Sequence, residues 1–210
     1  MPSPDLVHVI DDDEAVRQSL AFLLTAAKID VRTYESASAF LSALPNVSGC
    51  VVTDVRMPDI SGIDLLRRLK ELKVALPVIV ITGHGDIQLA VEAMKIGAVD
   101  FIEKPFDDEV LLTAIKSALG RWQKDARQEA ERTTFSGKLA TLSNRERDVL
   151  NGLVAGKPNK VIAFDLGISP RTVEIYRANV MTKMSAGSLS ELVRMALLTG
   201  LIGPDSGKAL

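Results

Sequence analysis

Three aspartates stand where short apolar runs of the sequence end. Asp11 and Asp12 follow the run LVHVI directly, and Asp54 closes the run CVVTD. A buried strand that ends in a carboxylate delivers that charge to the edge of a sheet, where ligands bind. Carboxylates that meet there repel one another unless a cation joins them, and oxygen ligands with space for water suit Mg²⁺. The sequence therefore predicts a magnesium ion held by Asp12, Asp54 and Asp11.

Two more polar residues close apolar runs further along the chain. Thr82 ends the run VIVIT, and Lys104 follows the run VDFIE. A carboxylate, a metal ion, a hydroxyl and an ammonium around one point suit a phosphoryl group, whose transfer depends mainly on positioning and charge neutralisation. We therefore predict that Asp54 is the nucleophile that accepts this group.

The elements that must position these residues alternate regularly. Helical stretches such as EAVRQSLAFLLTAAK and GIDLLRRLKEL separate five β-branched runs, at Leu6–Ile10, Val31–Tyr34, Cys50–Thr53, Val78–Ile81 and Val99–Ile102. Strands that alternate with helices form a parallel sheet covered on both faces, with the ligand crevice at the carboxyl ends of the strands. The predicted fold of residues 1–120 is therefore an α/β doubly wound, five-stranded parallel sheet.

From residue 141 onward the sequence has helix signals and no strand runs. Ser143 and Glu146 form a capping box, the helix NKVIAFDL stops at Gly167, and Ser169-Pro170 begin a further helix. Two short helices joined by a tight glycine-containing turn make a helix-turn-helix. We expect a linker helix over 121–136, a small all-α helix-turn-helix domain over 137–203 and a C-terminal tail over 204–210.

Composition narrows the class of protein. The net charge is −2, but residues 1–120 carry −7 and residues 121–210 carry +5. A basic half fits a polyanionic partner, although a surplus of this size also fits a solvated surface. We expect the single Cys50 to be buried, and we assign no function to His8 or His84. Without a signal peptide or a membrane-length apolar run, we expect a cytoplasmic protein with no membrane partner.

The polar residues at the strand ends give the first part of the chain a family resemblance. Asp11-Asp12, Asp54, Thr82 and Lys104-Pro105 resemble the receiver domain of bacterial two-component response regulators over about residues 5–120. The resemblance implies that the acidic pair and the phospho-acceptor Asp54 bind Mg²⁺, with the backbone carbonyl of Arg56 as a further ligand.

The same resemblance implies a switch that responds to phosphorylation. Thr82 would sense the acyl phosphate, Phe101 would repack, and the Lys104-Pro105 peptide bond would be cis. Taken alone, Phe101 is better explained as part of the core. Repacking would change the surface around Leu89–Lys95 and the strand at 99–103, and would favour a dimer that places two DNA-binding units on adjacent half-sites.

The helical half resembles the LuxR/NarL-type DNA-binding domain over about residues 137–202. Three motifs carry the resemblance: the acidic RE at the start of a helix, the pattern NK-IA--L-IS-RTV and the terminal lysine. The outward face of its third helix could meet base edges and phosphates in a major groove. Many members have a lysine where this chain has Glu174, so their base preference does not transfer. The predicted DNA contacts are Lys160, Arg171, Thr172, Glu174, Ile175, Arg177, Ala178, Asn179 and Lys183.

Together the two halves resemble the FixJ subfamily of response regulators, because they contain motifs such as VITGHGD and VDFIEKPF. This resemblance implies a partner histidine kinase that senses oxygen through haem, and activation of nitrogen-fixation promoters. It implies a homodimer that forms on phosphorylation and binds double-stranded promoter DNA. RNA polymerase is then a further expected partner.

Two alternatives stay open at the level of sequence. A Mg²⁺-dependent phosphatase of the haloacid dehalogenase type also uses a strand-end aspartate, but its general acid is an aspartate two residues on, and position 56 here is arginine. A second alternative keeps the receiver and lets the helical domain bind RNA or a protein partner. Steady hydrolysis of a phosphate monoester would support the first, and competition between duplex DNA and single-stranded RNA at raised salt would test the second.

Overall fold

The computed structural model describes residues 6–44, 47–83 and 87–201. The chain forms two compact units, Met1–Asp125 and Ala126–Leu210. His84 and the predicted tail at 204–210 lie outside the described residues.

The first unit contains a five-stranded parallel sheet in the order β2-β1-β3-β4-β5. Its strands are β1 (Leu6–Ile10), β2 (Asp30–Tyr34), β3 (Cys50–Asp54), β4 (Val78–Thr82) and β5 (Asp100–Glu103). The intervening helices are α1 (Glu14–Ala26), α2 (Ala37–Ser42), α3 (Gly62–Glu71) and α4 (Ile87–Ile96), and β5 is followed by α5 (Asp108–Ala140). The predicted doubly wound sheet is confirmed, and the ends of the strands differ from the predicted ends by at most one residue.

The strands form continuous apolar runs because helices cover both faces of the sheet. On one face Val7, Val9 and Ile81 pack with residues of α1 and α5, such as Leu24 and Ile115. On the other face the strands pack with buried residues of α2 and α3, and with Ala93 of α4. The strand order reverses beside β1, so the carboxyl ends of β1 and β3 are neighbours at the point where such sheets bind ligands.

Helix α5 is one continuous helix of 33 residues that begins in the first unit and ends in the second. Its first part buries Leu111, Ile115 and Leu119 against the sheet. The predicted linker at 121–136 lies inside this helix, where the side chains are mostly exposed.

All the regular elements among the described residues of the second unit are helices. After the end of α5 it contains α6 (Asn144–Val154), α7 (Asn159–Leu166), α8 (Pro170–Met184) and α9 (Leu189–Leu198). The predicted capping box is present, because Ser143 accepts from the backbone N–H of Glu146 and the Glu146 carboxylate accepts from that of Ser143. Gly167 ends α7 in the left-handed region at φ 65°. Ser169 then caps α8 ahead of Pro170, so the predicted helix-turn-helix is confirmed.

Cys50, which is predicted to be buried, and His8, which has no assigned function, are both buried in the first unit. His8 is fully buried on β1, where Nε2 donates to the carbonyl oxygen of Ser48 at 3.1 Å and Nδ1 lies 3.2 Å from the hydroxyl of Tyr34. Burial lowers the pKa of His8. Cys50 is also fully buried, and burial raises the pKa of its thiol to about 12.

None of the helices within the described ranges is long and apolar enough to cross a membrane.

Candidate functional site

The carboxyl ends of β1, β3 and β5 bring two carboxylates to one ammonium. The Nζ of Lys104 donates to Asp11 Oδ2 at 3.0 Å and to Asp54 Oδ1 at 2.8 Å. Only 6% of the Asp11 side chain and 12% of the Asp54 side chain are exposed. Burial lowers the pKa of Lys104, but the hydrogen bonds and charges of Asp54 and Asp11 raise it by more, so the net shift is upward. Lys104 therefore neutralises a paired negative charge at the sheet edge.

The backbone occupies the other oxygen of each carboxylate. Asp54 Oδ2 accepts from the backbone N–H of Arg56 at 2.6 Å, and Asp11 Oδ1 accepts from that of Asp13 at 2.9 Å. These short-range bonds fix both side chains from their own loops. Each carboxylate therefore has a set orientation before any ligand binds.

Arg17 is a residue of this site that sequence reasoning missed. Its guanidinium donates to the backbone carbonyls of Asp11 and Asp12, at 2.8 and 3.0 Å, from the first turns of α1. The contact holds the loop that carries the acidic pair. Its spacing from that pair, one helical turn into α1, is the signal that could have found it.

Asp12 does not join the other two carboxylates. Asp12 is exposed to solvent. Within the described part of the chain, no three Asp, Glu, His or Cys side chains are grouped closely enough to hold a metal ion. Of the three carboxylates expected to converge, Asp11 and Asp54 share Lys104, while Asp12 is exposed to solvent.

The donor set nevertheless fits magnesium. Asp11 and Asp54 supply hard oxygen atoms, and the carbonyl of Arg56 follows Asp54 by two residues. Mg²⁺ is usually held by one or two carboxylates together with water and phosphate oxygens. The site with Asp11, Asp12, Asp54 and Arg56 stays a prediction, which the two paired carboxylates support.

The two predicted switch residues lie at the ends of β4 and β5. Thr82 is buried, and its carbonyl accepts from the backbone N–H of Lys104 at 2.7 Å, which joins these strand ends. Phe101 is half-buried and packs against the apolar cluster on the α3 and α4 face. The peptide bond between Lys104 and Pro105 is cis, as the family resemblance predicts.

Helix α8 presents most of its predicted DNA contacts to solvent. Val173, Val180 and Met184 form its buried stripe. Ile175 is 57% exposed, although it is a large apolar residue. Thr172 and Arg177 are half-buried, and the other exposed members of the predicted set are Arg171, Glu174, Ala178, Asn179 and Lys183 on α8 and Lys160 on α7.

Lys183 has a second role that the sequence did not indicate. Its Nζ donates to Glu146 Oε2 at 2.7 Å, and Glu146 is buried with 3% of its surface exposed. The hydrogen bonds from Lys183 and Ser143 hold the pKa of Glu146 below its usual value. The ammonium predicted to meet DNA therefore also ties α8 to the start of α6.

Both units match families of known proteins. Residues 7–116 match the response regulator receiver domain, and residues 140–196 match the bacterial regulatory proteins of the luxR family. The chain belongs to the two-component response regulators. It joins a receiver to a LuxR-type DNA-binding domain, so the regulator is a transcription factor and not a haloacid dehalogenase-type phosphatase.

Its relatives include proteins named FixJ and a nodulation protein. The chain is 59% identical over 206 residues to transcriptional regulatory protein FixJ of Azorhizobium caulinodans, with 98% of each chain covered. It is 44% identical over 199 residues to nodulation protein W of Bradyrhizobium diazoefficiens, with 93% of this chain and 87% of that protein covered.

Solved structures agree with this family. Full-length FixJ from B. japonicum is 53% identical, with a TM-score of 0.59 and coverage of 95% of this chain and 98% of the other. The response regulator StyR is 38% identical, with a TM-score of 0.80 and coverage of 91% of this chain and 97% of the other. The regulator is therefore FixJ-like in sequence and in fold.

Proposed function

We propose that Asp54 accepts a phosphoryl group from the phosphohistidine of a sensor kinase. An oxygen of Asp54 attacks phosphorus, the bond between phosphorus and the histidine nitrogen breaks, and that nitrogen keeps the electron pair. The observation that carries this proposal is the pairing of Asp54 and Asp11 on Lys104 at the carboxyl edge of the sheet. A carboxylate held by an ammonium and a backbone N–H is oriented for in-line attack.

Magnesium fits this step as the cofactor, with Asp11, Asp12, Asp54 and the carbonyl of Arg56 as its ligands. When bound, Mg²⁺ would offset the charge on the phosphoryl oxygens. Lys104 would then leave the carboxylate pair and contact the new phosphoryl group, because a dianion attracts it more strongly than a single carboxylate does. Thr82, at the end of β4, would donate its hydroxyl to the same group.

The switch then passes from Thr82 to the surface through Phe101. Phe101 is half-buried beside α4, whose exposed face carries three large apolar residues among polar ones. On that face Ile87 is 79%, Val91 46% and Met94 50% exposed, and Ile87 and Val91 line a groove of about 500 Å³. Repacking of Phe101 would shape this face and the strand at 99–103 into a dimer surface, since exposed apolar patches mark protein interfaces.

The dimer would place two α8 helices on adjacent half-sites of promoter DNA. In the major groove, Ile175 and Ala178 could meet thymine methyls and Glu174 could accept from a cytosine amine. Lys160, Arg171, Thr172, Arg177, Asn179 and Lys183 would contact phosphates or base edges. The match of residues 140–196 to the luxR family of regulatory proteins supports duplex DNA over RNA or protein as the ligand, and six of the eight predicted contacts on α8, Lys183 included, are exposed and free to reach it.

The physiological role that we propose is activation of nitrogen-fixation genes. Its support is similarity over nearly the whole chain to proteins named FixJ. A histidine kinase that senses oxygen through haem would be the phosphoryl donor, and RNA polymerase would be recruited at the promoter. Phosphotransfer from such a kinase under low oxygen, but not under air, is the expected result.

The first experiment measures intact mass after incubation with acetyl phosphate and Mg²⁺. Wild type should gain one phosphoryl group, and neither Asp54→Asn nor wild type without Mg²⁺ should gain it. Asp30→Asn is the matched control, because Asp30 is exposed at the start of β2, at the opposite edge of the sheet. An adduct that survives in Asp54→Asn would refute the assignment of the acceptor.

The second experiment measures sedimentation and DNA binding of the phosphorylated protein. Moving a population from 1:99 to 99:1 needs about 5.5 kcal/mol of differential stabilisation, so dimerisation should rise steeply with phosphorylation. Val91→Arg should abolish the dimer, whereas Phe22→Arg, at an exposed position on α1, should not. Asp54→Asn that dimerises and binds DNA like the phosphorylated wild type would contradict the proposed switch.

A further inference from the structure

Gly62, the first residue of α3, lies against the backbone of the phospho-acceptor. A Cβ atom at this position would stand 2.2 Å from the carbonyl oxygen of Asp54 and 3.1 Å from its carbonyl carbon. Real Cβ atoms do not approach so closely, and the obstacle is backbone rather than the end of a flexible side chain. Its φ is not in the left-handed region, so glycine is required here for space and not for conformation.

The close approach completes a tight turn between β3 and α3. The backbone N–H of Gly62 donates to the carbonyl of Val55 at 3.0 Å, and the backbone N–H of Arg56 donates to the Asp54 carboxylate at 2.6 Å. The first bond closes the loop at 55–61 on its own first residue, and the second ties the loop to the acceptor carboxylate. Arg56, whose carbonyl is the predicted metal ligand, makes the second of these bonds through its own backbone N–H.

A third contact holds the middle of the same loop. The Asp59 carboxylate accepts from the backbone N–H of Ser38 at 3.0 Å, at the start of α2. Val55 and Met57 are buried, so the loop is also fixed by packing. The loop that carries Arg56 is therefore held by the close fit at Gly62, by the contact at Asp59 and by packing.

We infer that Gly62 is a positioning residue for phosphoryl transfer: it lets α3 begin against Asp54 and so sets the distance between the acceptor carboxylate and the Arg56 carbonyl. The inference rests on the proposed phosphorylation of Asp54. A side chain at position 62 displaces either the Asp54 peptide or the first turn of α3, and each shift changes the spacing between Asp54 and the Arg56 carbonyl. Loss of a group that orients metal ligands typically costs about 10- to 100-fold in metal affinity.

The test compares Gly62→Ala with Leu66→Ala in the full chain. Leu66 is buried on the same helix in its apolar cluster, so Leu66→Ala removes core packing and destabilises the receiver. Three quantities are measured: the Kd of Mg²⁺ by calorimetry without phosphodonor, the rate of phosphorylation by acetyl phosphate as Mg²⁺ is varied, and stability by the fluorescence of Trp122, the single tryptophan.

Gly62→Ala should raise the Kd of Mg²⁺ at least tenfold, and high Mg²⁺ should restore part of its phosphorylation rate. Leu66→Ala should lose stability and keep the wild-type Kd. Equal Kd values for Gly62→Ala and wild type would overturn the inference, as would an equal rise in Leu66→Ala. If Gly62→Ala does not fold, Asp59→Ala decides: the inference requires a Kd raised at least threefold, and an unchanged Kd overturns it.

The wild type separates this inference from the proposed function. No adduct on wild type in the presence of Mg²⁺ would refute the phosphorylation of Asp54 itself. A wild type that is phosphorylated at Asp54, beside a Gly62→Ala variant with unchanged Mg²⁺ affinity and rate, would refute the role of Gly62 alone.

Discussion

Lys104 neutralises two buried carboxylates at once, so its removal should expose their mutual repulsion. Lys104→Met keeps much of the side-chain length and deletes the ammonium that donates to Asp11 at 3.0 Å and to Asp54 at 2.8 Å. Hydrogen bonds to charged groups contribute about 1.5–3 kcal/mol each. The Lys104 side chain is 27% exposed, so solvent screening reduces the sum. We expect the receiver to lose about 2–4 kcal/mol of its free energy of unfolding without Mg²⁺.

Magnesium should reverse most of this loss. A cation between Asp11 and Asp54 replaces the missing ammonium, and a ligand at 100 times its Kd adds about 2.7 kcal/mol to stability. Urea unfolding followed by Trp122 fluorescence, with and without Mg²⁺, measures the effect in the unit that contains the site. The gain on adding Mg²⁺ should be larger in Lys104→Met than in wild type.

Lys116→Met, at an exposed position on α5, is the matched control and should behave as wild type at both Mg²⁺ concentrations. A Lys104→Met variant within about 0.5 kcal/mol of wild type in the absence of Mg²⁺ would refute the reasoning, because changes of that size are usual for surface substitutions. If Mg²⁺ stabilises Lys104→Met no more than it stabilises wild type, the idea that Mg²⁺ and the Lys104 ammonium neutralise the same two carboxylates is refuted.

Other predictions concern pH, the helical unit and DNA. The pKa of His8 is lowered by burial, so the unfolded receiver binds a proton that the folded receiver does not, and stability should fall as pH drops below about 6.5, by up to about 1.4 kcal/mol per pH unit. His8→Phe should remove this dependence in urea titrations. Glu146→Gln should lower the melting temperature of the helical unit more than Glu174→Gln does, measured by calorimetry, because Glu146 is buried against Lys183 and Glu174 is exposed. Ser169→Ala should cost about 0.5–2 kcal/mol of stability, since it removes the N-cap of α8. Arg171→Ala should reduce the salt slope of DNA binding by about 1 if Arg171 contacts a phosphate.

The fold was accessible from sequence because its local signals agree with one another. The runs VVT and VIVIT are apolar on both faces of a strand, and Ser143, Gly167 and Ser169 mark helix ends by their chemistry. Such signals depend on neighbours in the chain, so one sequence is enough to identify them. The pairing of Asp11 with Asp54 also followed, since parallel strands place their carboxyl ends at one edge.

Contacts between distant residues were less accessible. The bond between Lys183 and buried Glu146 spans 37 residues, and helical periodicity describes only which face each residue occupies on its own helix. The exposed position of Asp12 was missed for a related reason: adjacency in sequence indicates the same sheet edge but not the direction of each side chain. The steric role of Gly62 depends on the distance between two backbones, which no pattern of residue types encodes.

Cys50 gives the receiver a chemical reporter of its own opening. The thiol is fully buried in β3, its pKa is raised to about 12, and it is the single cysteine of the chain. A thiol reagent can therefore modify the protein only from an opened state of the sheet, and the modification rate under native conditions measures the free energy of that opening. Because Cys50 and Asp54 share one strand, the rate before and after phosphorylation would report how strongly the signal at one end of β3 tightens the strand at the other.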